Sequence, residues 1–265
     1  MKRRLSWSWL WVILGAIYFL LPLYATLDFS FRACGFDELC VKAYQRVLDD
    51  PQFFQTFSFS LYMSALTIVV SVLLLVPTAY WVHLRLRRLR PLVEFVTLLP
   101  FVIPAVVLVF GLIRTYSRPP LLLTRTGATS NILLVAGYVV LSLPYMYRAV
   151  DAGLRSMDVR TLTEAALSLG AGWGSILFRV ILPNLRTALL SGALLTFAIV
   201  IGELTLAQYL ARPAFGPYLA LLGQNRAFEP AALSLLSFAL TWIAMGMIAF
   251  LTRGKPGQTP VGAGH

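Results

Sequence analysis

Long runs of uncharged, mostly apolar residues recur along the chain, separated by shorter polar segments. A helix rising about 1.5 Å per residue needs about 20 such residues to cross the hydrocarbon of a bilayer. Six stretches reach or approach that length: 5–27, 51–82, 95–113, 126–147, 187–202 and 230–252. The fifth continues past Glu203 into LTLAQYLA. None has the strict alternation of a barrel strand. Peptide groups in lipid must find partners within their own segment, so each stretch is predicted to be a helix. Pro22, Pro77, Pro100, Pro104 and Pro144 fall inside the stretches. They predict bent helices whose freed carbonyls are satisfied by neighbours, hence a packed bundle. Gly192 and Ala193 are small enough to let two helices approach closely. The expected fold class is all-α, with six transmembrane helices.

Composition and charge then orient the bundle. The chain is 58% hydrophobic and 12% charged, against about 25% charged in a soluble domain. Its formal charge is +11. The bases sit mainly in short segments between apolar runs, as expected of loops facing anionic lipid rather than of a nucleic-acid surface. With the N-terminus in the cytoplasm, 14 Lys and Arg fall inside and 8 outside. The bias predicts a multi-pass membrane protein with cytoplasmic N- and C-termini. Arg114, Arg118 and Arg125 run against it. The first stretch follows MKRR, but its apolar run is longer than the core of a usual signal peptide, which predicts a retained helix.

The polar segments narrow the chemistry. Cys34 and Cys40 lie in the first outer segment, where an oxidising periplasm permits either a disulfide or two free thiols. With His83 and His265 they are too scattered for a metal site, and none is expected. The basic loop LRLRRLRP, 84–91, reads as a positive-inside anchor, with Glu94 at the interface beside it. Residues 253–265 are rich in Gly and Pro and read as a disordered tail. Gly254–Lys255 lacks the rest of a phosphate loop, so the chain is not expected to bind or hydrolyse ATP, and no cofactor is expected.

The longest inner segment, about 148–186, has a composition of its own. Asp158 or Thr161 can cap a helix running through LTEAALSL. Gly170 follows, where helices often stop. A second short helix, about 173–181, carries Ile176, Leu177 and Val180 on one broad face. Pro183 suits the first turn of the fifth membrane helix. Ala165 and Ala166 give the first short helix a low profile. Physics alone leaves two readings open, docking on another protein or lying on the membrane surface.

At these residues the chain resembles the binding-protein-dependent ABC importer permeases. Their loop pattern is E-A-A, three residues, G, nine residues, I, one residue, L-P. Here it reads Glu164, Ala165, Ala166, Gly170, Val180, Leu182 and Pro183, with Val180 in place of Ile. The resemblance covers about residues 52–252. It implies a type I (MetI-like) importer permease. A first helix and outer loop would occupy 1–56, and the permease core 57–252. It further implies that the loop couples to a cytoplasmic ABC ATPase dimer. A second permease subunit and an extracytoplasmic solute-binding protein would complete the importer. Among such permeases the chain looks most like those for polyamines, ferric iron, thiamine and phosphonate. A polyamine such as spermidine or putrescine is the preferred solute.

Glu203 is the one acid placed deep in a predicted span. It can face a cationic solute along the translocation path, or serve as a structural partner for an Arg or for backbone donors. The competing function from another class is a secondary transporter driven by an ion gradient. That needs intramembrane ion ligands and usually an internal repeat, of which Glu203 alone is a poor representative. An intramembrane enzyme lacks a base beside any nucleophile in the spans.

Overall fold

The computed structural model describes residues 5–35 and 38–252; the tail predicted to be disordered lies outside them. Thirteen α-helices and no strand occur among the described residues. They are α1 Leu5–Ser30, α2 Lys42–Leu48, α3 Pro51–Leu84, α4 Arg90–Val102, α5 Ala105–Tyr116 and α6 Gly127–Arg155. Then follow α7 Val159–Ser168, α8 Trp173–Ser175, α9 Leu182–Asn184, α10 Arg186–Gly202, α11 Thr205–Tyr209, α12 Phe215–Asn225 and α13 Glu229–Thr252. A π-helical turn, Ile176–Ile181, joins α8 to α9.

Four helices are by themselves long and apolar enough to cross a bilayer, and the count rises to six if each of two bent pairs is one crossing. The bend in the third stretch agrees with the bent helices that its prolines predict, and a second bend lies just ahead of the fifth stretch. Residues 87–102 meet α5 at 103°, and residues 173–184 meet α10 at 77°. The first break has a plain cause. Pro104 disfavours the helical conformation in the residue before it, and Ile103 is extended at φ −88°, ψ 115°. The second falls at Leu185, φ −86°, ψ 0°, just after Pro183. Pro183 thus stands in α9, before the bend, and not in the first turn of the membrane helix. Pro77 and Pro144, by contrast, are accommodated inside α3 and α6.

The chain divides into two compact units, one of residues 1–55 with 218–242 and one of 56–217 with 243–265. In the first, α1 exposes apolar side chains on every side from Trp9 to Tyr24, as a helix bathed in lipid does. Cys34 and Cys40 are joined in a disulfide, Cα atoms 6.0 Å apart, which resolves the two readings of that pair. Arg46 bonds Glu229 at 2.9 Å, and the Tyr218 hydroxyl donates to Asp50 at 2.7 Å.

The second unit holds the core that positions the candidate site. Here α6 packs along α10 and α4. Its interface with α10 is close because glycines line it. A Cβ on Gly192 would lie 2.7 Å from Met146 Sδ and 3.1 Å from Ala149 Cβ. Along α3 a row of buried hydroxyls, Ser60, Ser64, Thr67 and Ser71, recurs at helical spacing. Ser64 and Thr67 return their protons to the carbonyls of Leu61 and Met63, and Ser71 meets Ser142 of α6 at 3.3 Å. No polar atom of the row faces hydrocarbon, which keeps the cost of burying it low.

Overfilling the α6–α10 contact tests this packing. Gly192→Val should destabilise the detergent-solubilised protein by about 1–3 kcal/mol. Thermal unfolding should show a lowered midpoint. Gly246→Val, at a position with nothing within 4 Å, should leave the midpoint where it was.

Candidate functional site

The loop between α6 and α10 forms the elbow the sequence predicts, with differences in detail. Helix α6 runs on to Arg155, eight residues past the apolar stretch, because its last turns find polar partners. After three residues α7 begins, capped by Asp158, whose carboxylate accepts from the Thr161 amide at 3.1 Å and hydroxyl at 2.7 Å. Of the two residues able to cap, Asp158 does so and Thr161 is its donor. Those bonds hold the Asp158 carboxyl below its usual range. The turn comes at Gly170, φ +77°, where a side chain would be strained.

The elbow has an inner face and an outer face. Val159, Thr163 and Ala166 are buried, as are Ile176 and Ile181, and they join a core made of the ends of α3 and α6. Val180 and Leu182 pack against the same core, partly covered. The Thr163 hydroxyl lies 3.0 Å from that of Tyr80 on α3. Trp173 stacks at 5.1 Å on Trp81, with the Arg85 guanidinium over both rings. Outward face Glu164, Ala165, Leu167 and Leu169, the last 89% exposed. Glu164 is held at 2.8 Å by Arg160, one turn earlier, and their pairing raises the Arg160 pKa. The low-profile surface expected of Ala165 and Ala166 is therefore half realised: Ala165 is open, while Ala166 is 8% exposed and faces the core. The alternation of a helix face explains this, since 159, 163 and 166 share one side.

Glu203 is not in mid-helix. α10 ends at Gly202, and Glu203 is extended at φ −78°, ψ 126°. Its buried carboxylate accepts from the Leu206 amide at 2.9 and 3.0 Å and from Ala207 at 3.3 Å. It caps α11 and so mends a broken helix inside the bundle.

The sequence lets Glu94 pair with a nearby Arg, as it does with Arg90, but does not reveal the larger cluster of charged groups at the foot of the elbow. Asp151 on α6 meets His83 of α3 at 2.7 Å, Arg155 at 2.5 Å and Arg90 of α4 at 3.4 Å. Glu94 closes the ring, 2.9 Å from Arg90 and 3.3 Å from Arg155. The signal was available in the i, i+4 spacing of Asp151 with Arg155 and of Arg90 with Glu94.

The second unit is thus a bundle of apolar helices, two of its candidate crossings bent, with a glycine-hinged elbow packed on its core by one face. Residues 76–254, more than half the chain, match the family described as the binding-protein-dependent transport system inner membrane component, and the chain belongs to that family. It is thus a multi-pass inner-membrane permease of the ABC importer class.

The molybdenum transport system permease protein ModB of Mycobacterium tuberculosis is 32% identical over 66% of this chain and 67% of its own length. The spermidine/putrescine permease protein PotB of Haemophilus influenzae is 29% identical over 62% of this chain and 60% of its own. The ferric transport system permease protein FbpB of Actinobacillus pleuropneumoniae is 34% identical over 39% of this chain. This chain spans only 14% of FbpB, and 45% of the relative y4fN of Sinorhizobium fredii. Among solved structures, a bacterial ABC transporter importing the acidic polysaccharide alginate matches with a TM-score of 0.69 at 16% identity, covering 93% of each chain. That likeness shows the fold: the all-α, type I (MetI-like) importer permease architecture.

Removing the Asp158 cap gives a local test. Asp158→Ala should speed hydrogen exchange of the amides at 160–163 while leaving α10 unchanged. A cap whose carboxyl is held below its usual pKa is intact at neutral pH. Its protection should be present above the usual aspartate range and lost only as pH falls below it.

Proposed function

We propose that this chain is the membrane pathway of an ATP-driven importer for a small hydrophilic solute, and that residues 148–186 are its coupling loop. The loop would lie in the cytoplasm with both termini, seated on an ABC ATPase dimer that supplies the energy. A second permease subunit would complete the pathway. A binding protein outside would deliver the solute, as in the solved alginate importer in complex with its pentasaccharide-bound periplasmic protein. Residues 57–252 would form the working core, with 1–56 as the first helix and outer loop.

One observation carries this reading: the elbow is anchored on one side and open on the other. Its inner face is tied to α3 through Tyr80 and Trp81, while Glu164, Ala165 and Leu169 stand free of the core. A partner pressing on that open side would move a body already joined to membrane helices. In this scheme Glu164 makes the polar contact, Ala165 admits close approach and Ala166 seats the helix. Gly170 sets the turn. Val180, Leu182 and Pro183 fasten the elbow to α10.

The solute class follows less closely from the geometry. Named relatives carry iron, molybdenum and polyamines. A polyamine such as spermidine remains the first candidate, with ferric iron, thiamine and phosphonate behind it. Glu203 no longer argues for a cation, because its carboxylate is already bonded to backbone amides.

The test combines uptake with assembly. Cells expressing the importer should be offered radiolabelled spermidine, ferric iron and molybdate. Uptake of one should depend on ATP and vanish in Glu164→Lys and Gly170→Val while both variants remain in the membrane. Uptake at the wild-type rate in both would refute the coupling role. Uptake driven by a proton gradient after ATP depletion would favour a secondary transporter.

A further inference from the structure

We propose that Asp151 is the positioning residue through which movement of the coupling loop reaches α3 and α4 as well as α6. The inference rests on the coupling role proposed above and adds a route to it.

The geometry is specific. The Asp151 side chain is only 10% exposed, and both its oxygens are used. Oδ1 meets His83 Nε2 at 2.7 Å and Arg90 at 3.4 Å; Oδ2 meets Arg155 at 2.5 Å. The three partners stand at three helix ends. His83 is in the last turn of α3, Arg90 is the first residue of α4, and Arg155 is the last of α6. Glu94 makes Arg90 and Arg155 shared partners, so two acids and two guanidinium groups form a balanced ring.

The ring is placed where the loop's motion must pass. Only Ser156, Met157 and Asp158 separate Arg155 from α7. Tyr80, which bonds Thr163 of α7, lies on α3 one turn before His83. The end of α3 is therefore gripped twice, by the loop through Tyr80 and by α6 through Asp151. Without the ring, α4 would be joined to the loop end of α6 by packing alone. With it, a displaced loop carries along the helix that ends at the 103° bend before α5. Asp151 is the covered member of the ring, and leaving its charge without partners there is destabilising, which ties it to the three helix ends it bonds.

Two arms test this. In the first, spin labels replace Leu92 on α4 and Leu169 on the elbow, both exposed, in the permease alone in lipid nanodiscs. The wild type should give one narrow distance distribution, Asp151→Asn a broad or doubled one, and Asp151→Glu a narrow one. In the second, uptake of whichever of labelled spermidine, ferric iron or molybdate the cells accept is measured against concentration. Asp151→Asn should lower the maximal rate about tenfold with little change in KM, and Asp151→Glu should recover most of it. The ATPase should co-purify equally with all three proteins. An Asp151→Asn protein with the wild-type distance distribution overturns the proposal. So does one with the narrow distribution lost but the wild-type maximal rate. If the wild type binds no ATPase, the coupling role itself fails, and the first arm still decides whether Asp151 sets the geometry.

Discussion

The structure depends on one constraint: a peptide group in hydrocarbon must find its partner inside the protein. Unbroken helices meet it almost everywhere, and α3 and α6 run without a break although Pro77 and Pro144 each withhold one backbone donor. The bundle also contains breaks, and the one after α10 is answered by a side chain. Where α10 stops at Gly202, the Glu203 carboxylate takes the first free amides of α11. Where α6 begins, Thr126 and Thr129 satisfy each other's backbone in a capping box. A charged residue deep in the bundle is in this light a device of the backbone, bought at the cost of desolvating its own charge.

That explains which parts of the fold could be read from residues alone. Span length, helical type and the elbow between the fourth and fifth stretches follow from apolar periodicity and from Asp158 and Gly170, all local signals. The bends at Ile103 and Leu185 were half legible. Proline flagged both places, but Pro77 and Pro144 sit quietly within long helices, so the residue type does not say which proline breaks a chain. The role of Glu203 was open between solute and backbone because that depends on whether α10 continues past it. The ring around Asp151 brings together residues 61 and 68 positions apart. Spacing along one helix gives two of its edges, and only the packing of α3, α4 and α6 gives the others.

The elbow divides labour between its faces. Thr163, Ala166 and Ile176 spend their surface on the core, and Glu164, Ala165 and Leu169 leave theirs open. A motif that looks continuous in the sequence is thus two sets of residues under different rules. The inner set is fixed by packing with the ends of α3 and α6. The outer set stands clear of the core, with Glu164 paired to Arg160 on its own helix, so packing places little demand on its identity.

Gly170 adds a consequence for how this chain can vary. Beyond its chain neighbours no described atom lies within 4 Å of where its Cβ would be, so the first obstacle to a side chain is the backbone angle itself. Even alanine would meet that obstacle, and the mildest replacements would be asparagine and aspartate, which tolerate the left-handed region best. Genetic drift at this turn therefore has no gentle slope of increasing size to follow, whereas at Val180 one methylene more or less is a small step.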